Sequence, residues 1–134
     1  PDINLFNEKN NGETILKLIN NELIESCHDV SQGGILTAIS KMCIMGYKGI
    51  KINPIKTLIN EFEYFFGEDQ GRYIIELNKK NLDQVRKILK DNSVHFDELG
   101  IVEKSKINFN KDINLTIEDL SDANKTWLRK YMSN

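Results

Sequence analysis

The sequence predicts an α/β or α+β fold, a mixed β-sheet with helices packed on it. Two observations predict it. Apolar residues recur at spacings of three and four in several segments, the mark of amphipathic helices. Short β-prone runs lie between those segments, and the later ones follow closely enough to pair antiparallel. The chain has 134 residues. That length is one domain's worth and can bury a core.

Residues 1 to 11 are polar and Asn-rich, and read as a linker leading into a single domain that spans 1–134. From Gly12 to Ser26, Ile15, Ile19 and Leu23 form the stripe of a first helix. A short extended stretch follows at Ser26-Cys27-His28, broken by Gly33-Gly34. Ile35, Ile39, Met42 and Cys43 mark a second helix, with Gly46 as its cap. Gly49 to Ile52 alternates like a strand and stops at Pro54. A short helix is expected over Thr57 to Phe65, then a loop over Gly67 to Gly71. Arg72 to Leu77 reads as a central strand. Asn81 and Gln84 resemble a capping box before a helix with Leu82, Val85, Ile88 and Leu89 on its apolar face. Val94 to Phe96, Leu99 to Val102, Ile107 to Phe109 and Ile113 to Leu115 are short strand candidates, with Asn110-Lys111-Asp112 as a turn. Thr116 and Asp119 open a last helix striped by Leu120, Ala123, Trp127, Leu128 and Tyr131, in which Trp127 is expected to be a packing anchor.

Composition excludes more than it proposes. The net charge of -2 offers no basic field for nucleic acid or an anionic membrane. No apolar run reaches membrane-spanning length and no signal peptide is visible. The cysteines, Cys27 and Cys43, fit no zinc or redox spacing, and both read as buried thiols in a reducing cytoplasm. The chain starts at Pro1 and is expected to be a piece of a longer protein.

Two segments carry chemistry. In His28-Asp29-Val30-Ser31-Gln32-Gly33-Gly34, a strand delivers His28 and Asp29, Ser31 adds a hydroxyl, and the glycines allow a tight turn into a helix. A helix start presents unpaired N–H groups and a positive dipole end. Physical chemistry alone leaves a phosphate-facing loop and a plain strand-turn-helix corner equally open. In Gly67-Glu68-Asp69-Gln70-Gly71-Arg72, Gln70 and Arg72 could meet a polar ligand, or Glu68 and Arg72 could form a local ion pair, the favoured reading. His95 reads as structural, and spacing supports neither a nucleophile set nor a metal cluster.

On these two segments the sequence resembles the C-terminal domain of phosphoribosylformylglycinamidine synthase. The residues that carry the resemblance are His28-Asp29-Val30-Ser31-x-Gly33-Gly34 before an Ala-containing helix, and Phe66-Gly67-Glu68-x-Gln70-x-Arg72 before an Ile-rich strand. The order of the other elements agrees from about residue 12 to 131, including Leu99 to Val102 and the Trp-containing end. The resemblance implies an aminoimidazole ribonucleotide synthase-like C-terminal domain of an ATP-dependent ligase. That enzyme converts formylglycinamide ribonucleotide to its amidine with glutamine-derived ammonia. It also implies a cytoplasmic protein using ATP and Mg²⁺, both held mainly by an N-terminal ATP-binding domain, with a glutaminase subunit or domain as partner.

The resemblance assigns no catalytic residue or metal ligand to this chain. His28, Asp29, Ser31, Gly33 and Gly34 are expected to face a ligand cleft, with Gly67, Glu68, Gln70 and Arg72 as a second loop. Two positions depart from the family pattern: Gln32 stands where Asp is usual, and Asp69 where Ser is usual. The added charge of Asp69 makes the second loop less welcoming to an anion. The chain end resembles the second of two tandem copies, whose site is expected to hold a structural nucleotide or to do no chemistry. Alternatives are another superfamily member, such as aminoimidazole ribonucleotide synthase, or a non-catalytic interface domain.

Overall fold

The computed structural model describes residues 4–54, 60–108 and 114–133. Two compact units share the chain. The first comprises residues 1–38 and 59–97, the second 39–58 and 98–134.

The first unit begins with α1 (Leu5–Asn20). The stretch expected to be a linker is therefore helical from Leu5. Asn4 starts the helix, its side chain accepting from Asn7 N–H at 3.0 Å. Thr14 and Leu18 are buried, whereas Ile19 is exposed and Leu23 lies beyond the helix. The chain leaves α1 through Glu22, whose φ is 55°. Leu23 N–H then closes on Leu18 O at 3.1 Å, the six-to-one bond of a Schellman end.

Next comes β1 (Ser26–Asp29), paired antiparallel with β3 (Tyr73–Glu76), so that Asp29 faces Tyr73 and Ser26 faces Glu76. Between them in sequence lies α3 (Glu61–Phe66), shorter than expected. The part of the expected helix before residue 60 lies outside the described residues. Among the described residues β3 pairs only with β1, so it is not the central strand the β-prone run implied. A single 3₁₀ turn (Lys79–Asn81) leads into α4 (Leu82–Asp91). Asn81 does not cap α4 through a capping box. Its amide instead donates to Leu23 O at 3.1 Å, tying α4 to the end of α1.

Leu18, Leu23, Val85 and Leu89 form the core of this unit, with Ile15, Ile75, Ile88, Val94 and Phe96 packed around it. Val94 to Phe96 is not a strand. Ser93, at φ 55°, ends α4, and the alternating Val94 and Phe96 turn onto the core instead of into a ladder. His95 points outward, its side chain 90% exposed.

The helix α2 (Gly34–Gly46) gives its first turn to the first unit and the rest to the second. Its left-handed end residue is Tyr47, at φ 52°, and not Gly46; Lys48 N–H closes the motif on Cys43 O at 3.2 Å. The strands of the second unit are β2 (Gly49–Ile52), β4 (Gly100–Glu103), β5 (Lys106–Asn108) and β6 (Asn114–Thr116). They form a mixed sheet in the order β4-β2-β5-β6, with β2 and β5 parallel and the other pairs antiparallel. The fold class is therefore as expected, with the strands divided between two sheets. The expected turn at 110–112 lies outside the described residues.

In this unit Ile39, Cys43, Ile52, Ile107 and Ile117 are buried. The last helix, α5 (Ile117–Met132), opens on the expected Thr116–Asp119 capping box. Trp127, expected to anchor packing, is 60% exposed.

Candidate functional site

The β1–β3 pairing brings the two signature segments together. Val30 N–H extends the ladder by donating to Arg72 O at 2.8 Å, and Val30 itself is buried. The chain then turns sharply through Ser31 to Gly34, closed by Gly34 N–H to Ser31 O at 3.0 Å. Gly33 and Gly34 have φ of 83° and 69°. A side chain at Gly34 would place its Cβ 2.5 Å from Phe65 O and 2.8 Å from Phe66 Cα. This corner seats Gly34 directly against the backbone at the end of α3.

Across the corner, Glu68 reaches back. Its Oε1 accepts from Gly33 N–H at 2.8 Å. The donor that would greet a phosphate at the helix start is thus taken by a carboxylate of the second signature. The sequence offered Glu68–Arg72 as the local ion pair. The observed partner of Arg72 is Asp69, at 2.7 Å. Arg72 also donates to Tyr64 O at 3.1 Å and sits 5.9 Å from the centre of the Tyr64 ring. Asp69, the departure from the family pattern, therefore neutralises the guanidinium on the spot.

These segments line an open concavity of about 560 Å³. Of the expected residues, Asp29, Ser31, Glu68, Gln70 and Arg72 line it. Gly33, Gly34 and Gly67 shape its backbone instead. His28 lies on the other face of β1, where its Nδ1 is 2.6 Å from Asp29 O. A carbonyl only accepts, so in this contact the ring nitrogen is the donor.

The sequence reading missed the contribution of α1. Glu8 lines the concavity and packs under Gly71, while Asn11 donates to Gly71 O at 3.0 Å. Asn4 followed by Glu8 in the first turn was the available signal of a helix start. Tyr73 also lines the wall. Cys27, expected to be buried, is exposed, because it alternates to the open face of β1. Partial burial of its sulfur, and then the charge of Asp29, raise the thiol above its usual range, the reverse of a reactive cysteine.

Glu8, Asp29 and Glu68 put three carboxylates around the wall, against one guanidinium that is already paired. Among the described residues there is no cluster of three or more His, Cys, Asp or Glu able to hold a metal ion. This donor set does not fit Mg²⁺ or a triphosphate by itself. Ser31, Gln32 and Gln70 are its neutral polar groups.

The family described as AIR synthase related protein, C-terminal domain, matches residues 3–110. The chain is 58% identical, over all its 134 residues, to the phosphoribosylformylglycinamidine synthase subunit PurL of Pelagibacter ubique, and 32% identical over the same length to that of Bartonella bacilliformis. It spans only 18% of the length of either relative. Among solved structures, T. maritima PurL complexed with FGAR superposes with a TM-score of 0.72 at 19% identity, covering 85% of this chain and 21% of that one. The structure of PurLQS from Thermotoga maritima gives 0.72 at 20% identity, with the same coverage. These last two likenesses concern the fold. The sequence match over most of the chain, and a fold that joins both signature segments at one corner, make this chain a member of the AIR synthase related C-terminal domain family.

Proposed function

We propose that this chain is the C-terminal domain of a phosphoribosylformylglycinamidine synthase. The 58% identity across its whole length to the Pelagibacter ubique subunit carries this reading. The full-length protein would be an ATP-dependent C–N ligase of purine biosynthesis. It would convert formylglycinamide ribonucleotide to formylglycinamidine ribonucleotide with glutamine-derived ammonia, in the cytoplasm. ATP and Mg²⁺ supply phosphoryl activation of the amide oxygen in such a reaction.

In this reading the chain works as scaffold and cleft wall. Asp29, Ser31, Gln32 and Gln70 offer hydrogen bonds to a polar ligand, and Glu68 fixes the loop that presents them. The acidic wall cannot by itself balance a phosphate, which supports assigning the cations to an N-terminal ATP-binding domain. A glutaminase subunit or domain supplies ammonia. His28 and Arg72 are positioning residues, occupied by contacts within the chain.

The test is complementation of a purine auxotroph lacking this synthase by the full-length protein. Growth without purine is expected, and no growth despite soluble expression refutes the reading. Titration calorimetry of the 134-residue chain with Mg·ATP is expected to show no binding. Micromolar binding would contradict the assignment of ATP to another domain.

A further inference from the structure

Asn11-Gly12 is the one Asn-Gly step in the sequence. An asparagine before glycine is chemically labile, because no Cβ shields the glycine nitrogen and the backbone there bends readily. That nitrogen can attack the side-chain carbonyl carbon of the asparagine. A C–N bond forms, the bond to the side-chain nitrogen breaks, and ammonia leaves with the displaced amide proton. Water then opens the cyclic imide to aspartate or isoaspartate. The balance is water in and ammonia out, with no oxidant or other reactant.

In the folded chain both reacting groups are occupied. Gly12 lies inside α1, where a backbone N–H bonds the carbonyl four residues back. The Asn11 amide donates to Gly71 O at 3.0 Å, at the end of the second signature loop. A glycine inside a helix nonetheless weakens it, so α1 is locally easier to open at this step. We propose that Asn11 is a deamidation site gated by opening of α1, and that its conversion unfastens the 67–71 loop from the helix. The product carboxylate has no hydrogen to donate, so it would face Gly71 O as acceptor against acceptor. It would also add charge beside Glu8, which already packs against Gly71, on a wall that holds Asp29 and Glu68. Isoaspartate would in addition lengthen the backbone of α1 by one carbon, just ahead of the buried Thr14 and Leu18. The modification therefore changes the shape and charge of the cleft from a position outside both signature segments.

The 134-residue chain is incubated at mildly alkaline pH, native and in urea, and conversion is read by peptide mass mapping. In urea Asn11 should convert ahead of every other asparagine, and Gly12→Ala should slow it about tenfold by shielding the attacking nitrogen. That alanine is compatible with the fold, since its Cβ would meet Tyr73 Oη at 3.6 Å, an ordinary contact. In the native chain conversion should be about ten- to a hundredfold slower than in urea, paced by local opening of α1. Asn11→Asp makes one product directly. It should speed hydrogen exchange at the Gly33 amide, which the same loop holds through Glu68, by about fivefold, the worth of one hydrogen bond. Asn7→Asp adds the same charge at an exposed position of α1 and should leave that exchange unchanged. Four results would each overturn the proposal: another asparagine converting first in urea, equal rates in the native and unfolded chain, no native conversion, or Gly33 exchange that Asn11→Asp does not move beyond Asn7→Asp.

Discussion

Replacing Gly34 by alanine tests whether the signature corner is built on close backbone approach. Alanine at the observed φ of 69° costs about 1–2 kcal/mol, because its Cβ crowds the carbonyl in the left-handed region. The loss of glycine's freedom in the unfolded chain returns about 0.4–1 kcal/mol. The added methyl would stand 2.5 Å from Phe65 O and 2.8 Å from two backbone atoms of Phe66. These are not flexible side-chain tips, so the end of α3 or the start of α2 must shift. Overpacking of that kind costs about 1–3 kcal/mol. The net expectation is a loss of about 1–5 kcal/mol, a large share of the roughly 5–15 kcal/mol of a typical domain. Gly46→Ala is the control. Nothing lies within 4 Å of its added methyl, and its φ is not positive. It should be neutral or stabilise by up to about 1 kcal/mol. Urea unfolding followed by far-UV circular dichroism measures both. If the two variants lie within about 1 kcal/mol of each other, the close-approach reasoning is refuted.

Glu68→Ala should speed hydrogen exchange at the Gly33 amide, because it removes the carboxylate 2.8 Å away; unchanged protection would mean that the bond does not hold the loop. Glu22→Gly should stabilise the chain by about 1 kcal/mol, relieving a left-handed φ of 55° at the end of α1, and a lower urea midpoint would contradict this. Cys27 should alkylate more slowly at pH 8 than free cysteine, since a raised thiol pKa depletes the thiolate, and Asp29→Asn should recover part of the rate. The Asp119 carboxyl is held below its usual value by hydrogen bonds from the side chain and backbone of Thr116. Its contribution is present above the unfolded pKa near 3.8 and is lost as pH falls through the lower folded value. Acid should therefore fray α5 in that window, and Asp119→Asn should abolish this part of the pH dependence.

Local chemistry made much of the fold legible. The capping box at Thr116, the burial of Cys43 and the strand at Gly49–Ile52 need only neighbours in sequence to be read. The misses needed information from elsewhere. Val94 and Phe96 alternate like strand residues but pack on the core of α1 and α4, because among the described residues no strand lies beside them to complete a ladder. Asn81 has the composition of a cap, yet its amide goes to Leu23 O, a partner 58 residues away. The start of α1 was hidden by polar residues that look like linker; its purpose is visible only once Asn11 reaches Gly71. At the site, the residue types were legible and the pairing was not. Nothing in the order Glu68-Asp69-Gln70 says which acid takes Arg72 and which crosses to Gly33.

That crossing bears on the two meanings the His28–Gly34 segment had as a sequence. A phosphate loop needs its helix-start donors turned to solvent, and a corner needs them satisfied. Gly34 N–H is satisfied by Ser31 and Gly33 N–H by Glu68, so two of the helix-start donors are already taken within this chain. The two signatures are therefore one structural unit. The first supplies the turn, the second supplies the carboxylate that closes it, and the β1–β3 ladder holds them in register. A substitution at Gly33, Gly34 or Glu68 is felt across 35 residues of sequence because the Gly33–Glu68 bond spans that gap. A ligand anion could reach Gly33 N–H only by displacing Glu68, and cations from outside this acidic wall would have to favour that exchange. Glu68→Gln separates the two roles. The amide oxygen can keep the bond to Gly33 while losing the charge, so a corner tolerates it, whereas a displaceable anion seat should bind inorganic phosphate more tightly. Phosphate titration of that variant, followed at the Gly33 amide by NMR, reads the difference. A shift at millimolar phosphate in Glu68→Gln would show that the seat still accepts an anion, and its absence would leave the segment as a closed corner.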